Sequence, residues 1–228
     1  MRTIVRPLAE LADQIALDVA VLIRDALLQQ SSFNLVLTGG SLGIATAEAL
    51  GRQEVDWSKV TIWFGDERFV GLDHPDRNEA QALKVWPDLA TLNLIRYPDA
   101  SKQLQDAANK FDADFQARFG DINATSAVFD LVLVGMGPDG HIASLFPGHA
   151  QPRSWIVSES DSPKPPSERL SFSYEALNRS QRVWFLVSGA SKAPALRSAL
   201  VDSHLPASQV RGMGETVWYL DSEISDEL

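Results

Sequence analysis

The stretch LVLTGGSLGIATAEAL, residues 35–50, decides the fold class. It begins with three consecutive apolar residues, continues through a Gly-Gly pair, and then carries small apolar residues at helical spacing. A continuous apolar run is typical of a strand that is buried on both faces, as in a parallel sheet. The stretch therefore predicts a buried strand, a tight turn and a helix, which is the unit from which α/β folds are built.

The same unit recurs along the chain. Apolar runs predict four further strands, at 60–64, 131–134, 183–187 and 217–220. Helical spacing predicts helices at 8–23, from about Asn78, at 103–119 and at 192–200. The alternation predicts an α/β fold with a mainly parallel sheet and helices on both faces. The Ser-, Pro- and charge-rich segment 158–169 is predicted to be a mobile loop.

Charge and composition exclude several classes of function. The formal net charge is -10, whereas a nucleic-acid binder needs a basic face, so no nucleic-acid partner is expected. The chain has no cysteine, which excludes disulfides and thiolate nucleophiles. Asp13, Asp18 and Arg24 interrupt the first apolar segment, so we expect no signal peptide, no membrane span and a cytoplasmic protein.

Polar motifs follow the ends of the predicted strands. They lie at 39–41, 66–68, 135–141 and 188–192. Ligands of open parallel sheets bind at the carboxyl ends of the strands. These four motifs are therefore expected to meet at one site, and any anion bound there needs a local cluster of cations and backbone N–H groups.

The Gly39-Gly40-Ser41 turn precedes a predicted helix, where backbone N–H groups and a hydroxyl could bind a phosphate. By itself a Gly-Gly pair is equally typical of a simple turn. No Gly-Lys-Ser/Thr follows, so the turn is not a nucleotide-binding P-loop, and the glycine spacing does not match the dinucleotide-binding fingerprint.

The sequence GMGPDGHIASLFPGH, residues 135–149, contains the candidate general base. His141 follows Gly140, where a short helix is expected to begin, and an imidazole there could exchange protons near neutral pH. Asp139 lies close enough in sequence to orient the ring. The alternative is a turn in which His141 only caps a helix.

Asp66-Glu67-Arg68 is expected to form a strand-end turn. Arg68 could contact a phosphate or a developing oxyanion, and Asp66 could hold Arg68 or His141 in place. The alternative is a surface ion pair. Arg169 and Lys192 are further candidate cations, although each taken singly is typical of a solvated surface charge.

Other catalytic and metal motifs are missing from the sequence. His74, His149 and His204 occur in no metal-binding pattern, so no metal is expected. No Gly-x-Ser-x-Gly elbow occurs, which disfavours a serine esterase. The six tryptophans are predicted to pack in the core.

Taken together, these blocks resemble the 6-phosphogluconolactonase family. The resemblance covers nearly the whole chain, through LTGGS at 37–41, WFGDERFV at 63–70, DHPDRNEAQA at 73–82, GMGPDGHIASLFPGH at 135–149, PPSERLSFSYEALNRS at 165–180 and SGASKAPAL at 188–196. It implies one Rossmann-like α/β domain over 1–228. It also implies hydrolysis of 6-phospho-D-glucono-1,5-lactone in the oxidative pentose phosphate pathway, without metal or organic cofactor.

The resemblance also implies roles for individual residues. It makes His141 the catalytic histidine and Asp66 and Arg68 the acid–arginine pair beside the substrate. The substrate and its phosphate would be bound by Gly39, Gly40, Ser41, Asp139, Gly140, Arg169 and Lys192. The chain departs from the family at Leu42-Gly43, where Thr-Pro is common, so one hydroxyl is lost there. Functional coupling to the dehydrogenases of the pathway is left open.

Two other functions compete with this interpretation. A glucosamine 6-phosphate deaminase shares the Asp-Gly-His loop, but its loop typically continues Phe-Asn-Glu-Pro, whereas here 144–147 read Ser-Leu-Phe-Pro without an acid. A sugar-phosphate sensor would bind without turnover, and such regulators usually carry a DNA-binding segment. Only about one helix precedes the first predicted strand here.

Overall fold

Two sheets carry the fold of the computed structural model, which describes residues 2–120, 126–201 and 204–228. Within these residues, seven parallel strands form the main sheet: β1 (Arg2–Arg6), β2 (Phe33–Leu37), β3 (Val60–Phe64), β5 (Asn93–Leu94), β6 (Leu131–Gly135), β9 (Arg182–Val187) and β10 (Glu215–Asp221). A smaller antiparallel sheet holds β4 (Asp66–Arg68), β7 (Ile156–Glu159) and β8 (Arg169–Phe172).

The connections between the strands contain helices. The α-helices are α1 (Leu8–Leu27), α2 (Gly40–Gly51), α3 (Asn78–Val85), α4 (Leu104–Phe119), α5 (Tyr174–Asn178), α6 (Ala193–Leu200) and α7 (Ser222–Asp226). Short 3-10 helices cover Trp57–Lys59, Pro87–Thr91, Ala190–Lys192 and Pro206–Ser208. The five strands and five helices expected from the apolar patterns are therefore present.

Burial of consecutive residues explains why the main sheet is parallel. All five residues of β3 are buried, and so are the first four of β6. Neighbouring residues of a strand point to opposite faces, so both faces of the sheet are covered. This confirms the predicted mainly parallel sheet in an α/β fold.

Helix α1 packs through one apolar stripe. Leu11, Ile15, Val19 and Ile23 follow helical spacing and are fully buried. Leu8, which was expected to belong to this stripe, is exposed because it is the first residue of the helix. Five of the six tryptophans are buried as expected, whereas Trp57 is half-buried.

The small antiparallel sheet was not expected. Asp66–Arg68 was predicted to be a turn, but it forms β4 and pairs with β8. The segment 158–169 was predicted to be one loop, but its first two residues belong to β7 and its last begins β8. The loop is shorter than predicted, since only the residues between Glu159 and Arg169 connect the two strands.

The strand order creates the place for a site. The order is β1-β10-β9-β6-β2-β3-β5, so the chain runs from β2 to β3 on one side and returns to β6 on the other. The connections after β2 and β6 therefore diverge and leave a crevice, as at the switch points of other open α/β sheets. The Thr38 hydroxyl accepts a hydrogen bond from the Gly135 N–H at 3.2 Å, which ties the two strand ends together.

One hydrophobic core connects these elements. It extends from Leu11 in α1 to Ile224 in α7 and includes the buried faces of both sheets. Among the described residues, none of the helices is both long and apolar enough to cross a membrane.

Candidate active site

A cleft of about 330 Å³ lies at the carboxyl ends of the main-sheet strands. Its walls come from the segments after β2, β3, β6 and β9 and from the segment that leads into β8. The polar and charged side chains that line it are Thr38, Ser41, Asp66, Arg68, Asn78, His141, Lys164, Arg169 and Lys192. The motifs predicted to meet at one site therefore do so.

His141 faces this cleft with one ring nitrogen already engaged. Its Nδ1 lies 2.5 Å from Oδ1 of Asp139, whose carboxylate can only accept, so Nδ1 carries a proton. No described residue hydrogen-bonds the other nitrogen, Nε2, so it is available to a group in the cleft. Partial burial alone would raise the pKa of Asp139, but its hydrogen bond to His141 and its electrostatic interaction with that side chain outweigh this and lower the pKa.

The backbone around His141 is a turn, not the start of a helix. No helix begins at Gly140 or His141, so both the expected helix and the helix-capping alternative are wrong. The Gly137 N–H instead bonds to the His141 carbonyl at 2.9 Å, which closes the loop on itself. A Cβ on Gly137 would lie 2.1 Å from the His141 ring, so the close approach of the ring requires glycine.

Asp66 is buried and held by neighbours that the sequence did not indicate. It was expected to hold Arg68 or His141, but Oδ2 accepts from the Ser144 hydroxyl at 2.6 Å and Oδ1 from the Asn78 amide at 3.2 Å. The Arg169 guanidinium lies 3.9 Å away. These contacts fix a carboxylate at the edge of the cleft and rule out the alternative of a surface ion pair, since Asp66 is only 6% exposed.

Asn78 also explains a glycine in the first motif. A Cβ on Gly39 would lie 1.9 Å from the Asn78 Oδ1, so only glycine lets the start of α2 approach α3 this closely. Gly40 and Ser41 form the first turn of α2 and are exposed in the cleft. The free N–H groups of that turn make it suitable for an anion.

Arg68 reaches the cleft from β4. It donates to the Asp76 carbonyl, while its Nε is buried without a hydrogen-bond partner among the described residues. In the register of β4 and β8, Arg68 lies opposite Arg169. Two guanidinium groups side by side favour a bound anion between or beside them.

The cleft is locally positive in a negative chain. Of the described residues that line it, four are cationic and Asp66 is the one acid. Arg169 is 6% exposed and Lys192 is half-buried, so neither is the solvated surface charge that it resembled in isolation. Burial lowers the pKa of Arg169, with Asp66 opposing and Arg68 adding to the effect.

Glu67 lies behind the cleft and connects β4 to α3. Its carboxylate accepts from the N–H groups of Arg68, Asn78 and Glu79 at 2.7–2.9 Å. It therefore caps the beginning of α3 from a neighbouring strand, where a negative charge is favourable. Burial nevertheless raises the pKa of Glu67 to about 7, against those hydrogen bonds and the charge of Arg77.

The expected binding residues do not all line the cleft. Asp139 and Gly140 do not line it. Asp139 stands behind His141, and the Gly140 carbonyl accepts from the Ala207 N–H. Sequence reasoning missed Asn78, Ser144 and Lys164 as site residues, and the first two lie in blocks that the family resemblance already used. Within the described residues, no group of three or more His, Cys, Asp or Glu is placed to hold a metal ion.

Comparison with known proteins identifies the family. The sequence profile of the glucosamine-6-phosphate isomerases/6-phosphogluconolactonase family matches residues 7–218. The chain belongs to this family. The resemblance drawn from the sequence motifs is thereby confirmed.

Two relatives and one solved structure show how close the match is. The chain is 37% identical over 213 residues to a 6-phosphogluconolactonase of Mycobacterium leprae, with 85% of this chain and 84% of the relative covered. It is 34% identical over 212 residues to one from Nostoc sp., covering 89% and 88%. The crystal structure of a 6-phosphogluconolactonase from Thermotoga maritima superposes with a TM-score of 0.85 at 28% identity, covering 97% of this chain and 99% of that one.

Proposed function

We propose that this chain hydrolyses 6-phospho-D-glucono-1,5-lactone to 6-phosphogluconate, the second step of the oxidative pentose phosphate pathway, with His141 as general base. The proposal is supported by the relatives that carry the name 6-phosphogluconolactonase and cover most of the chain. The observation that carries it is the position of His141, which is held by Asp139 and lies in the same cleft as four cations.

The proposed mechanism needs no nucleophilic side chain, because a lactone carbonyl is already electrophilic. Nε2 of His141 takes a proton from water as the water oxygen bonds to C1. Arg68 or N–H groups of the loop stabilise the oxyanion. His141 then returns the proton to the ring oxygen as the C1–O5 bond breaks, which leaves the open-chain acid.

The remaining groups of the cleft would position the substrate. The first turn of α2, with Gly39, Gly40 and Ser41, and the cations Arg169 and Lys192 are suited to the phosphate. Binding the phosphate at a fixed distance from His141 places C1 near Nε2. Asp66, held by Ser144 and Asn78, is suited to accept hydrogen bonds from sugar hydroxyls.

For the deaminase alternative, the described part of the cleft offers no acid besides Asp66. Deamination with ring opening needs a proton relay, and Asp66 is the one carboxylate among the described lining residues. Glu159 also contacts the 144–149 segment, where it pairs with His149 at 2.7 Å, but it does not line the cleft. Family membership alone does not separate the two activities, so the assay must include both.

The test is the hydrolysis rate of freshly generated 6-phosphogluconolactone with and without the protein, in the presence of a metal chelator. The spontaneous rate is subtracted. We expect a large acceleration that the chelator does not change. Deamination of glucosamine 6-phosphate instead would assign the alternative activity, and binding of sugar phosphate without turnover would indicate a sensor.

A further inference from the structure

Lys164 is a cation of the cleft that no sequence motif indicated. It lies in the connection between β7 and β8, and its side chain lines the cleft together with Lys192, which follows β9. Burial lowers the pKa of the Lys192 ammonium, and the charge of Lys164 lowers it further, whereas Asp221 opposes the shift. Two ammonium groups from different connections therefore lie close enough to affect each other.

The backbone of Lys164 is fixed by hydrogen bonds. Its carbonyl accepts from Nη2 of Arg169 at 2.9 Å and from the Ser162 hydroxyl at 3.0 Å. The Nε of Arg169 donates to the Pro166 carbonyl at 3.1 Å. Two of the donor groups of this buried guanidinium are thus engaged with the connection itself, and Nη1 lies 3.9 Å from Asp66.

We propose that Lys164 binds the phosphate of the substrate together with Lys192, and that Arg169, besides offering its charge to the phosphate, holds Lys164 at the cleft through the Lys164 and Pro166 carbonyls. The proposal rests on the proposed function for the identity of the substrate. A lysine ammonium is a compact point charge with three donors, which suits a phosphate dianion. Repulsion between two neighbouring ammonium groups is relieved when a dianion lies between them.

The first test compares two lactones. Lys164→Met removes the charge and keeps the length of the side chain, and Lys102→Met, at an exposed lysine outside the cleft, controls for the change in net charge. We expect Lys164→Met to raise KM for 6-phosphogluconolactone about 10-fold, as for loss of one charge-assisted hydrogen bond. The hydrolysis of unphosphorylated D-glucono-1,5-lactone, which has no phosphate to bind, should be the same in the two variants. Equal KM values in the two variants would overturn the proposal.

The second test does not depend on turnover. Calorimetric titration with 6-phosphogluconate and with inorganic phosphate measures binding by the wild-type chain and both variants. Weaker binding by Lys164→Met alone supports the proposal even when the wild-type chain hydrolyses no lactone, in which case the proposed function fails separately. Wild-type affinity in Lys164→Met, or no binding of either anion by the wild-type chain, contradicts it.

A double-mutant cycle tests the role of Arg169. Arg169→Lys keeps the charge but cannot reach both carbonyls with a planar fork. If Arg169 acts through Lys164, the double variant should have the KM of the more affected single variant. Additive effects on KM, with thermal unfolding showing that each variant is folded, would mean that Arg169 acts on the substrate independently and that the positioning role is wrong.

Discussion

At the scale of single residues, the site depends on side chains that hold other side chains. His141 gains a defined tautomer because Asp139 accepts its Nδ1 proton, and Gly137 leaves room for the ring. Asp66 is fixed in the same way by Ser144 and Asn78. These hydrogen bonds orient the two side chains that face the substrate. Removing one of them should therefore disturb the side chain that it holds.

We expect Ser144→Ala to destabilise the chain by about 1.5–3 kcal/mol, because a buried carboxylate loses a hydrogen-bond donor. Ser144 is fully buried, so solvent water cannot readily replace the lost hydroxyl as a donor to Asp66. The measurement is urea unfolding at neutral pH. Ser198→Ala is the matched control, since among the described residues that hydroxyl bonds to the Pro194 carbonyl in its own helix. Its loss should change stability by less than about 0.5 kcal/mol. Equal effects of the two substitutions would show that the Ser144–Asp66 contact contributes nothing.

The sequence predicted the residues that follow long apolar strands. His141 and Ser41 were found because strand ends of a parallel sheet converge. Ser144 and Asn78 were not recognised as site residues, because serine and asparagine are common in loops. Only the fold brings them to Asp66. Lys164 stands between prolines in a segment without periodicity, so nothing local distinguishes it from other surface lysines.

At the scale of elements, the small antiparallel sheet positions one wall of the cleft. β4 is only three residues long, and its Asp-Glu-Arg sequence shows no alternation, so its pairing with β8 could not be predicted from pattern alone. The five main-sheet strands that contain four or five apolar residues each were predicted closely. β1 was missed because its residues are mostly exposed at the sheet edge.

Glu67 connects β4 to α3, and its protonation should make stability depend on pH. Its pKa rises from 4.5 to about 7 on folding, so between these values the folded chain holds a proton that the unfolded chain has released. The free energy of unfolding therefore falls as pH rises through this window, on the order of 3 kcal/mol in total. The stabilisation that protonated Glu67 contributes is fully present below pH 4.5 and is lost above about pH 7.

The measurement is urea unfolding of the wild-type chain and of Glu67→Gln between pH 5 and pH 8. We expect the stability of the variant relative to the wild-type chain to rise with pH, because glutamine does not titrate. Other titrating groups cancel in the difference. A difference that stays constant across this range would mean that Glu67 is ionised throughout.

At the scale of the whole molecule, one core joins α1 at the beginning to α7 at the end. We therefore predict that the chain unfolds as one domain, in a single transition. Far-ultraviolet circular dichroism and tryptophan fluorescence should report the same midpoint, since the six tryptophans are distributed along the chain from 57 to 218. Two separated midpoints would contradict the single-domain organisation.

The charge distribution is also a property of the whole molecule. A net charge of -10 opposes the approach of an anionic substrate, yet four cations converge in the cleft. The overall composition disfavours a broad basic surface. It could not reveal the local cluster, because Arg68, Lys164, Arg169 and Lys192 come together only through the strand order and the pairing of β4 with β8.

The most direct test of the account is the turnover of 6-phosphogluconolactone by His141→Asn. Asparagine keeps an amide nitrogen near the position of Nδ1 and its contact with Asp139, but it has no counterpart of Nε2. We expect kcat to fall by about 10²–10⁴-fold with the fold and the binding of 6-phosphogluconate retained, while His204→Asn, at an exposed histidine outside the cleft, leaves kcat unchanged. Wild-type turnover in a folded His141→Asn variant would contradict the central claim.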